Sequence, residues 1–154
     1  MNRLSGEGRL QVKLGTLLPI STSTGKEMSQ GEMMRYLNEM IMWFPAALLG
    51  KNVSFEPINT ESAKVSMSKH GKSVSGILYI DDRGQITNFT APRYRAVGKS
   101  YTMENWSTPI TAYGVYEGLN LPTAGKAVYH LKTGDVVYIE LAVTELQYNV
   151  NRPY

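Results

Sequence analysis

The sequence predicts a mainly β (α+β) fold in which a strongly curved antiparallel sheet, a half-barrel, packs on one helix. Two observations lead to this class. One segment near the N-terminus has a convincing helical pattern, and the rest of the chain shows about eight or nine strand patterns separated by tight turns. A fully closed barrel is less favoured, because its interior would leave the helix no place to dock.

The helical segment reads SQGEMMRYLNEMIMWFPAALL and begins at Ser29. Ser29 and Glu32 have capping-box spacing, in which the serine oxygen accepts an orphan N–H and the glutamate returns to the cap. Pro45 has no N–H and interrupts the helical ladder. We therefore expect a helix over about residues 30–43, followed by a short turn. Its apolar residues recur at helical spacing, so Leu37, Met40, Ile41 and Phe44 are expected to face the sheet.

The strands are predicted from alternation and from turn residues. They are expected at residues 9–20, 62–68, 73–80, 85–95, 99–104, 110–116, 119–131 and 135–148. Pro122 within one of them indicates an edge or a bulge. With no internal repeat, low-complexity tract or linker, residues 1–154 are expected to form a single domain.

Five segments resemble, in order, a bacterial family known only as a domain of unknown function. They are GEGRLQVKLGTLLPI, EMSQGEMMRYLNEMIMWFPAALL, ITNFTAPRYR, NWSTPI and GLNLPTAGKAVYHL. The most specific block is Arg-Tyr-Leu-x-Glu…Trp-x-Pro-x-Ala-Leu-Leu, which is made of Arg35, Tyr36, Leu37, Glu39, Trp43, Pro45, Ala47, Leu48 and Leu49. The resemblance implies no chemistry. It implies that relatives usually carry a further stretch before GEGRL, which for this chain is either missing or lies outside the sequence given.

The expected architecture resembles the half-barrel of bacterial lipoprotein carriers of the LolA and LolB type, and also the small violacein-pathway enzyme VioE. This is a fold-level analogy, and one fold serves many functions.

Charged pairs supply the first candidate ligand-binding residues. Arg35 and Glu39 stand four apart on the helix, as a surface ion pair would, although apolar neighbours favour drawing part of the pair inward. Arg93 and Arg95 share one strand face, where two guanidiniums repel unless a carboxylate such as Glu104, or a ligand anion, lies between them. A partly buried Arg35 would be available to a ligand carboxylate or to a strand carbonyl. Arg93 and Arg95 could hold an anionic ligand head bidentately.

Aromatic residues supply the remaining candidates. An aromatic sheet face opposite a Met-rich helix is typical of a hydrophobic pocket, although most such residues simply pack. The aromatic candidates are Trp43, Trp106, Tyr113 and Tyr138.

Histidine and cysteine content limits the possible chemistry. The chain has no cysteine, which excludes disulfides, thiolate catalysis and Cys-ligated zinc. His70 lies in a turn, and His130 is expected on the exposed face of a strand. Two isolated histidines predict no metal site, and a Ser-His-Asp triad would have to be assembled from residues that no motif marks. No cofactor is expected.

These observations predict a binding or carrier domain for an apolar or amphiphilic small molecule. The alternatives are a small cofactor-independent enzyme of the VioE or cyclase sort and a structural or interaction domain. A net charge of +3 from scattered residues does not predict nucleic-acid binding. No membrane span and no signal peptide are found, so a cytoplasmic location is expected for the chain as given. An unpaired sheet edge near residues 9–20 would favour a homodimer.

Overall fold

The structure, a computed structural model, describes residues 25–148 and shows a mainly β protein with one α-helix. Helix α1 (Lys26–Trp43) is followed by a short 3-10 helix (Pro45–Leu49). The strands are β1 (Val53–Asn59), β2 (Ser62–Lys69), β3 (Lys72–Ile80), β4 (Ile86–Val97), β5 (Ser100–Ser107), β6 (Ile110–Tyr116), β7 (Leu119–Leu131) and β8 (Gly134–Ala142). They form one antiparallel sheet that does not close into a barrel, as predicted.

The predicted start of the helix is wrong. Helix α1 begins at Lys26 after Gly25, and Ser29 already lies in its first turn, where its N–H donates to the Gly25 carbonyl over 3.1 Å. The Ser29–Glu32 capping box therefore does not form. Good helix formers precede Ser29, and they let the helix extend back to the extended backbone of Gly25.

The order of strands in the sheet departs from chain order after β5. The strands run β1-β2-β3-β4-β5-β7-β6, and β8 pairs with β7. Because Trp106 pairs with Tyr129 and Ile110 pairs with Gly125, β5 and β6 lie end to end along one side of β7. Strand β8 takes the other side. Strand β7 is thus the central element of this half of the sheet.

Pro122 lies in β7 beside a change of register. It pairs with Tyr113 of β6, and the register shifts between Ala112 and Tyr113. The bulge predicted from this proline is confirmed.

Two ends of the sheet differ from the predicted strands. Strand β1 was not predicted, and β8 ends at Ala142 instead of continuing to residue 148. Beyond β8 the chain crosses toward the end of α1, where Leu146 is buried and the Tyr148 hydroxyl donates to the Trp43 carbonyl over 2.5 Å. The strand predicted at residues 9–20, with the dimer edge placed there, lies outside the described residues.

The core lies between α1 and the face of the sheet turned toward it, here called the inner face. Leu37, Met40 and Ile41 are buried there, as predicted, together with Phe89 and Trp106 of the sheet. Phe44 instead belongs to a second cluster, where its ring meets Tyr148 edge-on at 6.0 Å. The opposite face of the sheet is here called the outer face.

One buried polar contact fixes the helix over the junction of β5 and β6. The Thr108 hydroxyl donates to Oδ1 of Asn38 over 2.8 Å, and both residues are buried. A buried amide oxygen without a donor would be costly, so this contact favours one position of α1 on the sheet.

Candidate functional site

Strands β3 and β4 diverge, and the divergence positions the candidate site. They pair only from Ile77–Thr90 to Ile80–Ile86, whereas β4 continues along β5 as far as Val97. The first half of β3 pairs with β2 alone among the described strands. The sheet therefore opens between Gly76 of β3 and the middle of β4.

A side chain of α1 takes the place of β3 along the freed edge of β4. The Gln30 amide donates to the Pro92 carbonyl over 3.0 Å and accepts from the Tyr94 N–H over 3.4 Å. Pro92 has no N–H to satisfy, so a proline fits where the strand has lost its neighbour. The helix thus closes the opening on the inner side and leaves it accessible from the outer side.

A cavity of about 400 Å³, here called the outer groove, lies at this opening. Its lining residues come from β2, β3, β4, β5 and β7: Lys64, Ser75, Gly76, Ile77, Thr90, Ala91, Pro92, Asn105, Trp106 and His130. Apolar surface from Ile77, Ala91 and Pro92 adjoins the polar groups of Lys64 and His130. The groove therefore combines an apolar wall with cationic and hydrogen-bonding groups.

A line of three hydrogen-bonded side chains begins at the groove. Nε2 of His130 lies 2.7 Å from the Ser107 hydroxyl, and Nδ1 lies 2.7 Å from a carboxylate oxygen of Asp135. Ser107 is buried, with 4% of its surface exposed, whereas His130 is open to solvent and lines the groove. Each ring nitrogen of the histidine thus has one partner.

The structure brings four of the predicted ligand-binding residues together on the inner face. The Arg93 guanidinium donates to the Tyr138 hydroxyl over 2.6 Å and lies 4.9 Å from the ring centroid of Trp106. The Trp106 indole donates to the same hydroxyl over 3.0 Å. The fourth, Arg95, lies over the ring of Tyr129 at 6.0 Å. Tyr129, which the sequence did not single out, stacks on Tyr138 with centroids 4.8 Å apart.

Arg93 acts as a clamp between helix and sheet. Besides Tyr138, it donates to the Tyr129 hydroxyl over 3.0 Å and to the Gly31 carbonyl of α1 over 3.2 Å. Glu104 lies directly opposite it on β5. These contacts join the guanidinium to both the helix and the sheet. In Arg95, by contrast, Nε is buried and has no partner among the described residues.

Burial raises the pKa of two groups near this cluster. It raises the pKa of Tyr129 to about 12, against the opposing charge of Arg93. It also raises the pKa of Glu39 above its ordinary value, and the positive charge of Arg35 opposes that shift. Both groups therefore hold their protons more tightly in the folded protein.

The other predicted residues lie outside the Arg93 cluster. Arg35 is exposed and forms ion pairs with Glu32 at 2.9 Å and Glu39 at 3.5 Å, which is the surface arrangement considered from the sequence. The buried Trp43 indole donates to the Pro122 carbonyl over 2.9 Å. The Tyr113 hydroxyl donates to the Ile86 carbonyl over 2.9 Å. These contacts hold elements together and reach neither the outer groove nor the Arg93 cluster.

Sequence reasoning missed the line of Ser107, His130 and Asp135. The pairing of His130 with Asp135 could have been predicted, because a two-residue turn between Leu131 and Gly134 places these residues opposite each other. Ser107 had no such signal. It reaches His130 only because β5 pairs directly with β7, although β6 lies between them in the chain.

Among residues 25–148, no group of three or more acidic, histidine or cysteine side chains is positioned to hold a metal ion. A search of the same residues for a helix long and apolar enough to cross a membrane finds none.

The fold defines the class of the protein, and comparison with protein families then assigns the chain to one family. A curved antiparallel sheet on one helix, with a groove on its outer face, describes the class. Residues 2–141 match the model of DUF6544, a family of unknown function, and the chain belongs to that family. Comparison with curated proteins and with solved structures finds no match.

Proposed function

We propose that the protein binds an amphiphilic small molecule in the outer groove. The observation that carries this proposal is the cavity of about 400 Å³, which lies within the range of small-molecule sites. The sequence favoured a pocket between helix and sheet. There, however, Leu37, Val65 and Phe89 are fully buried against one another, so the outer face offers the space that the proposal needs.

The chemistry of the lining supports a ligand with an apolar body and a polar or anionic head. Ile77, Ala91 and Pro92 offer an apolar wall. The Lys64 ammonium lies 3.4 Å from Glu56, its only carboxylate partner among the described residues. It is exposed enough to exchange that contact for a ligand anion. Trp106 is the one residue that lines the groove and was also predicted from the sequence to bind ligand.

Titration with laurate, a fatty acid with a carboxylate head, tests the proposal. Calorimetry should detect binding. Ile77→Glu places a negative charge in the apolar wall and should weaken binding by about tenfold or more, which is about 1.4 kcal/mol or more. Val115→Glu is a matched change at an exposed position on β6 and should leave the affinity unchanged.

Native mass spectrometry of protein purified from its own host provides an independent test, because a retained lipid or metabolite would appear as added mass. Absence of laurate binding together with absence of a retained molecule would refute the proposal. Those results would favour the interaction-domain alternative. Equal losses in Ile77→Glu and Val115→Glu would also refute it, since the loss would then not come from the groove.

A further inference from the structure

We propose that Ser107, His130 and Asp135 form an acyl-transfer site that hydrolyses carboxylic esters bound in the outer groove. The proposal rests on the function proposed above, because the groove delivers the substrate. The three side chains occupy the roles of nucleophile, general base and orienting group, with both connecting distances at 2.7 Å.

The contacts of the imidazole suit general-base catalysis. In the neutral ring, Nδ1–H donates to the Asp135 carboxylate, which leaves the lone pair of Nε2 to accept from the Ser107 hydroxyl. A carboxylate that holds the ring in this tautomer directs the basic nitrogen at the nucleophile. A histidine that served only as a surface polar group would need neither partner.

The sheet holds these groups on adjacent, paired strands. Ser107 pairs with Val128 of β7, two residues before His130, and His130 pairs with Asp135 of β8. All three side chains point to the outer face, because their neighbours Trp106 and Tyr129 point inward to the core. Strand pairing fixes these positions more firmly than a loop would, as a preorganised site requires.

The groove provides a place for the ester beside the nucleophile. His130, its cross-strand partner Asn105, and Thr90, the cross-strand partner of Ser107, all line it. The Asn105 side chain is exposed and stands opposite the base. A side-chain amide of this kind can donate to the negative oxygen that develops on a carbonyl under attack.

The reaction balances with water as the only co-substrate. Oγ of Ser107 attacks the ester carbonyl carbon and gives its proton to Nε2 of His130. The carbon–oxygen bond to the alcohol then breaks, and the departing alkoxide takes that proton. Water attacks the resulting acyl-serine and passes its proton through Nε2 back to Oγ. One ester and one water become one acid and one alcohol.

The experiment combines covalent labelling with turnover. An alkyl fluorophosphonate should attach to the protein, and peptide mass spectrometry should place the label on Ser107. Hydrolysis of 4-nitrophenyl butyrate should be lost in Ser107→Ala and fall by about 10²–10⁴-fold in His130→Gln. The controls are His70→Gln, at the other histidine, and Ser66→Ala, at another sheet serine. Both should keep wild-type labelling and turnover.

Asp135 is a positioning residue, and its variant needs a separate measurement. Asp135→Asn should lower kcat while KM and laurate affinity stay unchanged. If the role of Asp135 were merely structural, kcat, KM and laurate affinity would change together. Should Ser107→Ala fail to fold by circular dichroism, His130→Gln decides, because that side chain is exposed.

The outcomes separate this proposal from the proposed binding function. Laurate binding without Ser107 labelling, and with turnover equal to that of Ser107→Ala, would overturn the catalytic site alone. Labelling and turnover without laurate binding, and without a retained molecule in native mass spectrometry, would support the catalytic site and refute the amphiphile groove. Absence of both binding and labelling would overturn both proposals.

Discussion

Gly76→Ala tests how closely β3 approaches β4 at Gly76, where the two strands begin to diverge beside the outer groove. A Cβ atom at this position would lie 2.4 Å from Cζ of Phe89 and 2.7 Å from the Thr90 carbonyl oxygen. Phe89 is fully buried, and its ring meets Trp106 edge-on at 6.3 Å, so the ring has little room to move away. The methyl group therefore forces a shift of packed atoms.

The magnitude follows from two opposing effects. Overpacking of a core costs about 1–3 kcal/mol, and the lower chain entropy of unfolded alanine returns about 0.4–1 kcal/mol. Together these ranges allow a net loss of up to about 2.6 kcal/mol. Because the added Cβ atom would lie 2.4 Å from a buried ring, we expect the middle of that range, about 1–2 kcal/mol. For a chain of this size, that loss lowers the melting temperature by roughly 2–8 °C.

Calorimetry and urea unfolding measure the loss, and two variants act as controls. Gly31→Ala makes the same change in α1, where the nearest contact of the added Cβ atom is an ordinary 3.8 Å, so it should stabilise the protein. Combining Gly76→Ala with Phe89→Leu should cost less than the sum of the two single changes, because the smaller side chain removes the clash. A neutral or stabilising Gly76→Ala would show that β3 and β4 do not approach in this way.

Three further predictions concern α1. Thr108→Val leaves the buried Asn38 oxygen without its donor and should cost about 1–3 kcal/mol in urea unfolding, and Asn38→Leu in the same chain should recover part of the loss. Leu37→Ala should cost about 2–5 kcal/mol, and a loss under about 0.5 kcal/mol would refute its buried position. Glu39 has a pKa above its ordinary value of 4.5, so the stability it adds is present below that pH and is lost as pH rises through the folded pKa. Glu39→Gln should remove this fall, and an unchanged pH profile of stability would contradict it.

The sequence alone predicted the features that depend on neighbours in the chain. Helical spacing placed Leu37, Met40 and Ile41 against the sheet, and alternation with turn residues located most strands. The bulge beside Pro122 followed from the chemistry of one residue. These features are local, because periodicity and turn geometry are set within a few residues.

Prediction from the sequence was weaker where competing local signals were similar. The start of α1 and the end of β8 were both misplaced. A capping pattern at Ser29 could not outweigh the helix formers before it, and the apolar alternation after Ala142 did not reveal that the chain leaves the sheet. The helix preference of the residues before Ser29 decides where α1 begins. Contacts distant in sequence decide where β8 ends.

Only the tertiary structure decided where the candidate site lies. The divergence of β3 from β4 opens the groove, and the pairing of β5 with β7 brings Ser107 to His130. Arg93, chosen from the sequence as a ligand-binding residue, contacts both α1 and Tyr138, another residue so chosen. Pairings between segments so far apart in the chain depend on how the whole sheet closes on the helix. No short sequence pattern encodes these pairings, because the entropic cost of closing long loops is offset only when the whole core assembles.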